Sequence, residues 1–341
     1  MENTVVTFGE IMMRLNPKGY LRFIQAEEME ISYGGAEANV AVSLANYGVP
    51  VRFVSKVPAN DLGQCAVNAV RHFGVDTSCI VRGGERLGLY FMEKGASQRA
   101  SKVIYDRKDS AIACAAAADF NWDRIFDGAS WFHFTGITPA LGGELPDICM
   151  EACKKARAKG IRVSCDLNYR KKLWTREQAC AAMTALMPYI DICIANEEDA
   201  FDVFGIRAAH SDLNTGKIER EDYISIAKQL TERFGCKKVA ITLRGSISAS
   251  VNEWAGMLYD GTEASFSSTY TIQIVDRVGG GDAFGAALIY ALLHHYNNQE
   301  AVQFAAAASA LKHTIEHDFN LVSISEVTAL ASGNTSGRVQ R

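Results

Sequence analysis

Asp276-Arg-Val-Gly-Gly-Gly-Asp-Ala-Phe-Gly285 runs three successive glycines into an aspartate and then into a long apolar stretch, Ala283 to Leu293. Glycines let the backbone approach a ligand closely and turn its N–H groups inward. The apolar stretch reads as a buried helix, and a helix N-terminus adds roughly half a positive charge. Gly279, Gly280 and Gly281 therefore form an anion site suited to a phosphoryl group, with Asp282 beside it where an incoming hydroxyl would sit. Phosphoryl transfer demands little base strength, because its loose transition state needs mainly alignment and charge neutralisation. On spacing alone, an equal claim belongs to a glycine turn with Asp282 as an ordinary N-cap.

Upstream of this segment the chain alternates short apolar strands with helices. Strands are expected at Val5 to Phe8, Val51 to Val57, Trp131 to Thr135, Ile161 to Asp166, Ile190 to Ala195 and Lys238 to Leu243. Between them come helices at Ala36 to Tyr47, Gly63 to Phe73, Asp147 to Lys159, Arg176 to Met187 and Ile224 to Phe234. Helices at Asp282 to His295 and Glu300 to His313 follow two edge-like strands, Ser248 to Trp254 and Met257 to Tyr259. Repeated strand–helix units imply a mostly parallel sheet covered by helices on both faces. Two strand-rich segments, 12–32 and 87–106, do not fit that wrapping and are expected to pair as a small separate sheet over the site. Residues 1–331 thus read as one α/β domain, with a surface loop at 207–222 and a disordered tail at 332–341.

Composition narrows the function. A net charge of −4 over 341 residues gives no global attraction for nucleic acid or an anionic membrane. An anionic ligand must be held by local Arg, Lys and backbone N–H groups. No apolar run is long enough for a membrane span, and the N-terminus lacks a signal-peptide pattern. The nine cysteines include no Cys-x-x-Cys; they read mostly as buried thiols, with Cys149 and Cys153 on one helix face. This pattern suggests a reducing compartment, and the expected location is the cytoplasm. There is no Gly-x-x-x-x-Gly-Lys-Ser/Thr loop, and Phe284 stands where a Gly-x-Gly-x-x-Gly fingerprint needs its last glycine. A nicotinamide-dependent oxidoreductase is accordingly the weaker reading.

Five motifs in order resemble the ribokinase/PfkB family of carbohydrate kinases over residues 4–330. They are Gly34-Gly35 followed by Asn39, Asp166-Leu-Asn-Tyr-Arg170, Asn196-Glu-Glu-Asp199, Thr242-Leu-Arg-Gly245 and Gly279 to Asp282. Four runs resemble the family's 2-keto-3-deoxygluconate kinases. They are Gly34-Gly-Ala-Glu-Ala-Asn-Val40, Arg86-Leu-Gly-Leu-Tyr-Phe-Met-Glu93, Lys102-Val-Ile-Tyr-Asp-Arg-Lys-Asp-Ser-Ala111 and Trp131-Phe-His-Phe-Thr-Gly136.

The resemblance implies a ribokinase-like, doubly wound α/β fold with a β lid that often mediates dimers. It implies ATP-dependent phosphorylation of a sugar acid, giving a 6-phosphate, with Mg²⁺ and with a monovalent-cation requirement left open. Asp282 would be the base and Gly279 to Gly281 the anion hole. Gly34, Gly35, Asn39, Tyr90, Tyr105, Arg107 and Arg170 would contact the sugar acid. Asn168, Asn196, Thr242, Arg244 and Gly245 would join Gly279 and Gly281 around the nucleotide, while Asn196 and Asp199 would hold magnesium through water. The physics agrees, since Arg offers carboxylate a planar donor fork and Tyr offers sugar an apolar face with a hydroxyl. Taken singly, the tyrosines read equally as lid core and the arginines as surface ion pairs.

Two positions depart from the family pattern. Asp199 stands where Glu is general, one methylene shorter towards the magnesium shell. Arg277 replaces a small Thr, and either adds positive charge near the phosphates or pairs with an acid outside. The rivals are a kinase for a neutral sugar such as fructose or ribose, a nucleoside kinase, and a non-catalytic sugar- or nucleotide-sensing module. The gluconate- and galactonate-derived acids differ at one hydroxyl, which sequence does not read.

Overall fold

Val5-Val6-Thr7-Phe8 and Ile192-Cys193-Ile194-Ala195 are buried on both faces, as interior parallel strands must be, in the computed structural model, which describes residues 4–207 and 220–334. Among the described residues the main sheet has ten strands. From one edge the order is Ala264–Phe266, Val251–Tyr259, Lys238–Ser246, Ile192–Asn196, Arg162–Asp166, Ala129–Thr135, Thr4–Phe8, Val51–Val57 and Ile80–Arg82; Tyr270–Gln273 also pairs with Val251–Tyr259. Pairing is parallel from Lys238–Ser246 to Ile80–Arg82 and antiparallel beyond.

Successive side chains feed opposite layers. Trp131 packs with the helices Ala36–Asn46, Gly280–Leu293 and Asn298–Lys312, whereas Phe132 and Phe134 pack with Leu145–Ala158, Arg176–Leu186 and Arg220–Phe234. The doubly wound α/β fold is thus present, with helices on both sheet faces.

The two anomalous segments form the second sheet, in the order Glu30–Gly34, Met12–Asn16, Gly88–Glu93, Lys102–Asp106. Its register places Ser32, Arg14, Tyr90 and Tyr105 in one row, and Ile31, Leu15, Phe91 and Ile104 in the neighbouring row that points the other way. Tyr90 and Tyr105 line the site, so the Ile31 row is the lid's outer face.

All four chain crossings between lid and core meet at Glu10. Its carboxylate accepts from Arg107 and from Ser110 Oγ (2.6 Å), both just past the last lid strand. A Cβ on Gly35 would collide with its carbonyl oxygen, and one on Gly88 with its side chain.

Several boundaries differ from the sequence reading. The helix after the glycines begins at Gly280, not Asp282, so the glycines are its own first turn. The helix expected from Gly63 begins at Asp61, capped by Asn60. The two edge strands expected around 248–259 are one, Val251–Tyr259. Strands Ile80–Arg82, Ala264–Phe266 and Tyr270–Gln273 and helices Glu197–Phe204 and Ile324–Ala331 were not anticipated. Of the expected loop 207–222, residues 208–219 lie outside the described residues, and Arg220 already opens a helix. Of the expected tail, 335–341 lie outside them, while Ser332 and Gly333 donate into the last helix turn. All nine cysteines are free; Cys149, Cys153, Cys165, Cys193 and Cys236 are buried, the other four are not. Among the described residues, no helix is long and apolar enough to cross a membrane.

Candidate active site

The C-terminal ends of the parallel strands open under the lid onto a cavity of about 660 Å³. Parallel α/β sheets bind ligands at that end, at the point where the strand order reverses. Here the reversal falls between Thr4–Phe8 and Ala129–Thr135.

At the cavity floor the three glycines divide the work. Gly279 is the N-cap at φ 83°, a left-handed conformation, and a Cβ on it would collide with the Asp318 carbonyl. A Cβ on Gly280 would collide with the His313 ring, but one on Gly281 would meet nothing. Gly281 is therefore where the helix N-terminus stays open to a ligand.

Asp282 is not the N-cap; it lies in the first turn and makes no capping bond. Instead its Oδ2 accepts from the Asn39 amide at 2.7 Å, tying the two glycine motifs together across the fold. Burial pushes its carboxyl up to about 7, the Asn39 bond pulls it back, and the nearby Glu37 and Asp318 charges add to the rise. Two further acids share this wall. Burial, then Asp199 and Asp282, hold Asp166 well above the carboxylate range. Burial lifts Asp199 to about 6 against bonds from the Tyr169 and Asn196 N–H groups. Arg170 lines the cavity and opposes the rise at all three, and among the described residues no ion pair neutralises them.

A second acid cluster, under the lid, is fully paired. Arg14, with no exposed surface, donates to Asp276 at 2.5 Å and Asp318 at 2.9 Å. Tyr90 adds its hydroxyl to Asp318 at 2.6 Å, and buried Lys312 lies close by.

Of the expected sugar-acid residues, Gly35, Asn39, Tyr90, Tyr105, Arg107 and Arg170 line the cavity; Gly34 lies just behind, with its Cα against Asp318. Tyr105 is partly exposed and packs on Tyr90 at 5.9 Å. Arg107 is buried and gives Nε and Nη2 to Glu10, with its guanidinium over the Tyr105 ring. On the opposite side Asn168, Asn196, Asp199, Thr242, Arg244 and the three glycines line the cavity, but Gly245 does not. Thr242 to Gly245 lie within the strand Lys238–Ser246, which runs past the expected Leu243.

The shortened Asp199 has a local purpose. Asn196 and Asp199 form a reciprocal capping box at the head of Glu197–Phe204, and Asp199 also accepts the Tyr169 N–H at 2.9 Å. Among the described residues no group of three or more His, Cys, Asp or Glu could hold a metal ion. The donor set fits a hard cation held mainly by ligand phosphates and water, with carboxylates outside.

Sequence reasoning missed Glu10, Glu37, Arg14, Asp276 and Asp318, and left Asp166 without a role. Glu37 lay inside the quoted glycine motif: its Oε1 accepts from Thr135 Oγ1 (2.7 Å) and Thr138 Oγ1 (2.8 Å), pinning the helix Ala36–Asn46 to the end of the strand Ala129–Thr135 and the turn after it.

Comparison with known proteins agrees with this geometry. The model of the pfkB family of carbohydrate kinases matches residues 2–316. A crystal structure of 2-dehydro-3-deoxygluconokinase from Thermotoga maritima is 52% identical, covers 98% of this chain and 99% of its own, and superposes with a TM-score of 0.94. The 2-dehydro-3-deoxygalactonokinase of Haloferax volcanii is 32% identical over 99% of both chains. The 2-dehydro-3-deoxygluconokinase of Bacillus subtilis is 30% identical over 92% of this chain and 90% of its own.

Proposed function

The chain belongs to the pfkB family of carbohydrate kinases, and on that footing we propose that it transfers the terminal phosphoryl group of ATP to the 6-hydroxyl of 2-keto-3-deoxygluconate. The observation that carries this reading is Asp282, held by Asn39 at the open glycine end of a helix, in one cavity with Arg107 and Arg170.

The sugar acid lies between lid and floor. Tyr105 offers it a ring face, and Arg170 offers its carboxylate a donor fork. Arg107 keeps Nη1 for that carboxylate, because among the described residues only its other two guanidinium nitrogens are engaged, both by Glu10. Glu10 thereby positions the fork. Asp282 orients the hydroxyl and takes its proton onto a carboxylate oxygen. With its carboxyl pushed up to about 7 by burial, Asp282 is a stronger base than an exposed aspartate. The Gly281 N–H faces the developing negative charge. The open backbone at Gly281 and the cationic wall of Arg244 suit nucleotide phosphates; bound Mg-ATP supplies the phosphoryl group and offsets its charge. Asn196 and Asp199 would reach the magnesium through water, and Thr242 borders the nucleotide side.

The reading extends to the assembly. Ile31 and Ile104, in the outer row of the lid, are 60% and 46% exposed, with Tyr20, Leu21 and Ile24 also exposed on the segment between the first two lid strands. A second copy of the chain joined lid to lid would cover this face. All nine thiols being free fits a cytoplasmic setting.

The test is ADP release with Mg-ATP, comparing 2-keto-3-deoxygluconate with its galactonate-derived epimer, fructose and ribose. A preference for the acids supports the two arginines as carboxylate ligands. Preference for a neutral sugar overturns the substrate while keeping Asp282. The Haloferax volcanii relative makes the epimer the competing acid.

A further inference from the structure

Arg277 departs from the family pattern in the segment that opens the site, and sequence left it two roles. The structure removes one of them. Among the described residues Arg277 forms no ion pair; its Nη2 donates to the Ala249 carbonyl at 2.9 Å. Its Nε is buried and has no hydrogen-bond partner. The side chain lines the same cavity as Arg244 and the three glycines. Burial lowers its pKa, and the charge of Arg244 lowers it further.

A half-buried guanidinium thus feels the charge of an exposed one across the same cavity, with its Nε left without a partner. A buried donor without a partner, and a like-charge pair whose neighbouring acid, Asp276, is already engaged by Arg14, are both unfavourable until an anion arrives. The anion that reaches both arginines and the Gly281 N–H must be extended and multiply charged. We propose that Arg277 clamps the polyphosphate of the nucleoside triphosphate, together with Arg244 and the Gly279–Gly281 turn. It is a specificity-determining residue for the length of the phosphate chain. A threonine at this position reaches neither the charge nor the fork.

The strut that aims Arg277 also meets the lid. The Ala249 N–H donates to the Ser97 carbonyl at 2.7 Å, and the Ser97 N–H donates to Ser250 Oγ at 2.8 Å. Ser97 is in the turn between the last two lid strands. The carbonyl that holds the clamp therefore lies in a segment that the lid turn braces from one side, while Val251 and Ile274 hold it from the core.

The inference rests on the kinase reading, so its test uses nucleotide binding without any sugar. Magnesium complexes of a non-hydrolysable ATP analogue and of ADP, and AMP itself, are titrated calorimetrically into the wild type, Arg277→Thr and Arg277→Lys. Removing a charged hydrogen bond predicts analogue binding about 10- to 100-fold weaker in Arg277→Thr, with AMP unchanged and Arg277→Lys between the two. Equal weakening for AMP and the analogue, or no weakening of either, overturns the clamp. So does a variant whose sugar-acid KM alone rises, which would make Arg277 a substrate ligand. If Arg277→Thr does not fold, the Lys variant decides, because it keeps the charge and loses the fork. Failure of the wild type to phosphorylate the sugar acid would sink the proposed substrate and leave these titrations readable.

Discussion

Two groups of buried carboxylates lie against the same cavity, and the fold treats them in opposite ways. Asp276 and Asp318 are closed onto Arg14, with Tyr90 and Lys312 around them. Asp166, Asp199 and Asp282 face the opening with no built-in ion pair among the described residues, and burial raises all three. The chemistry of the side chains is identical; what differs is whether the chain supplies the counter-charge. A paired cluster has finished its work on folding. An unpaired one keeps an electrostatic deficit that a bound cation or a proton can fill, the pattern on which the proposed site rests.

The sharpest way to break this contrast is to remove one charge from each group. Asp282→Asn is expected to lower kcat by about 10²- to 10⁴-fold with sugar-acid and ATP affinities nearly kept, read by steady-state kinetics and binding. Near-normal turnover would remove the base from the open cluster. Arg14→Ala attacks the closed cluster and strands two buried acids, which should destabilise the fold by ~3–5 kcal/mol in denaturant unfolding. A loss of activity with unchanged stability would instead make the closed cluster catalytic.

pH gives a third, smaller lever. Asp282 must be ionised to act, so kcat/KM of the wild type should rise about tenfold per pH unit below its apparent pKa near 7 and then flatten. Stability should run the other way. A carboxylate raised in the fold binds its proton more tightly there than in the unfolded chain, so stability falls as pH rises from the unfolded value of 3.8 through about 7. Asp282→Asn should flatten part of that fall. The smallest effect separates neighbouring glycines. Gly281→Ala adds a methyl to open space and should change stability by less than about 1 kcal/mol while raising the KM for ATP several-fold. Gly280→Ala, whose Cβ meets His313, should lose more stability than Gly281→Ala in the same melt.

What sequence disclosed follows from how locally each feature is encoded. The glycine turn, the parallel core and the lid segments are written in neighbouring residues, and each was found. Arg14 and Asp318 stand 304 positions apart, so their ion pair leaves no local pattern. The misread strand has another cause. Gly256 falls in the gap between the two expected strands, and a Cβ there would strike the Phe284 ring, from the segment that opens the site. The glycine gives room to that ring and leaves the strand unbroken. The last helix was missed although Ser323 and Glu326 form a legible capping box, because it was absorbed into the expected end of the domain.

Glu10 gathers both ends of each lid segment at a single junction. Where the chain crosses, a change in lid sequence or length reaches the core through one residue; the Arg14, Tyr90 and Ser97 contacts are the remaining joints. Lineages of this fold could trade whole lids, and with them substrate preference or mode of assembly, by keeping this junction. An engineer grafting a foreign lid has the same short list of joints to match.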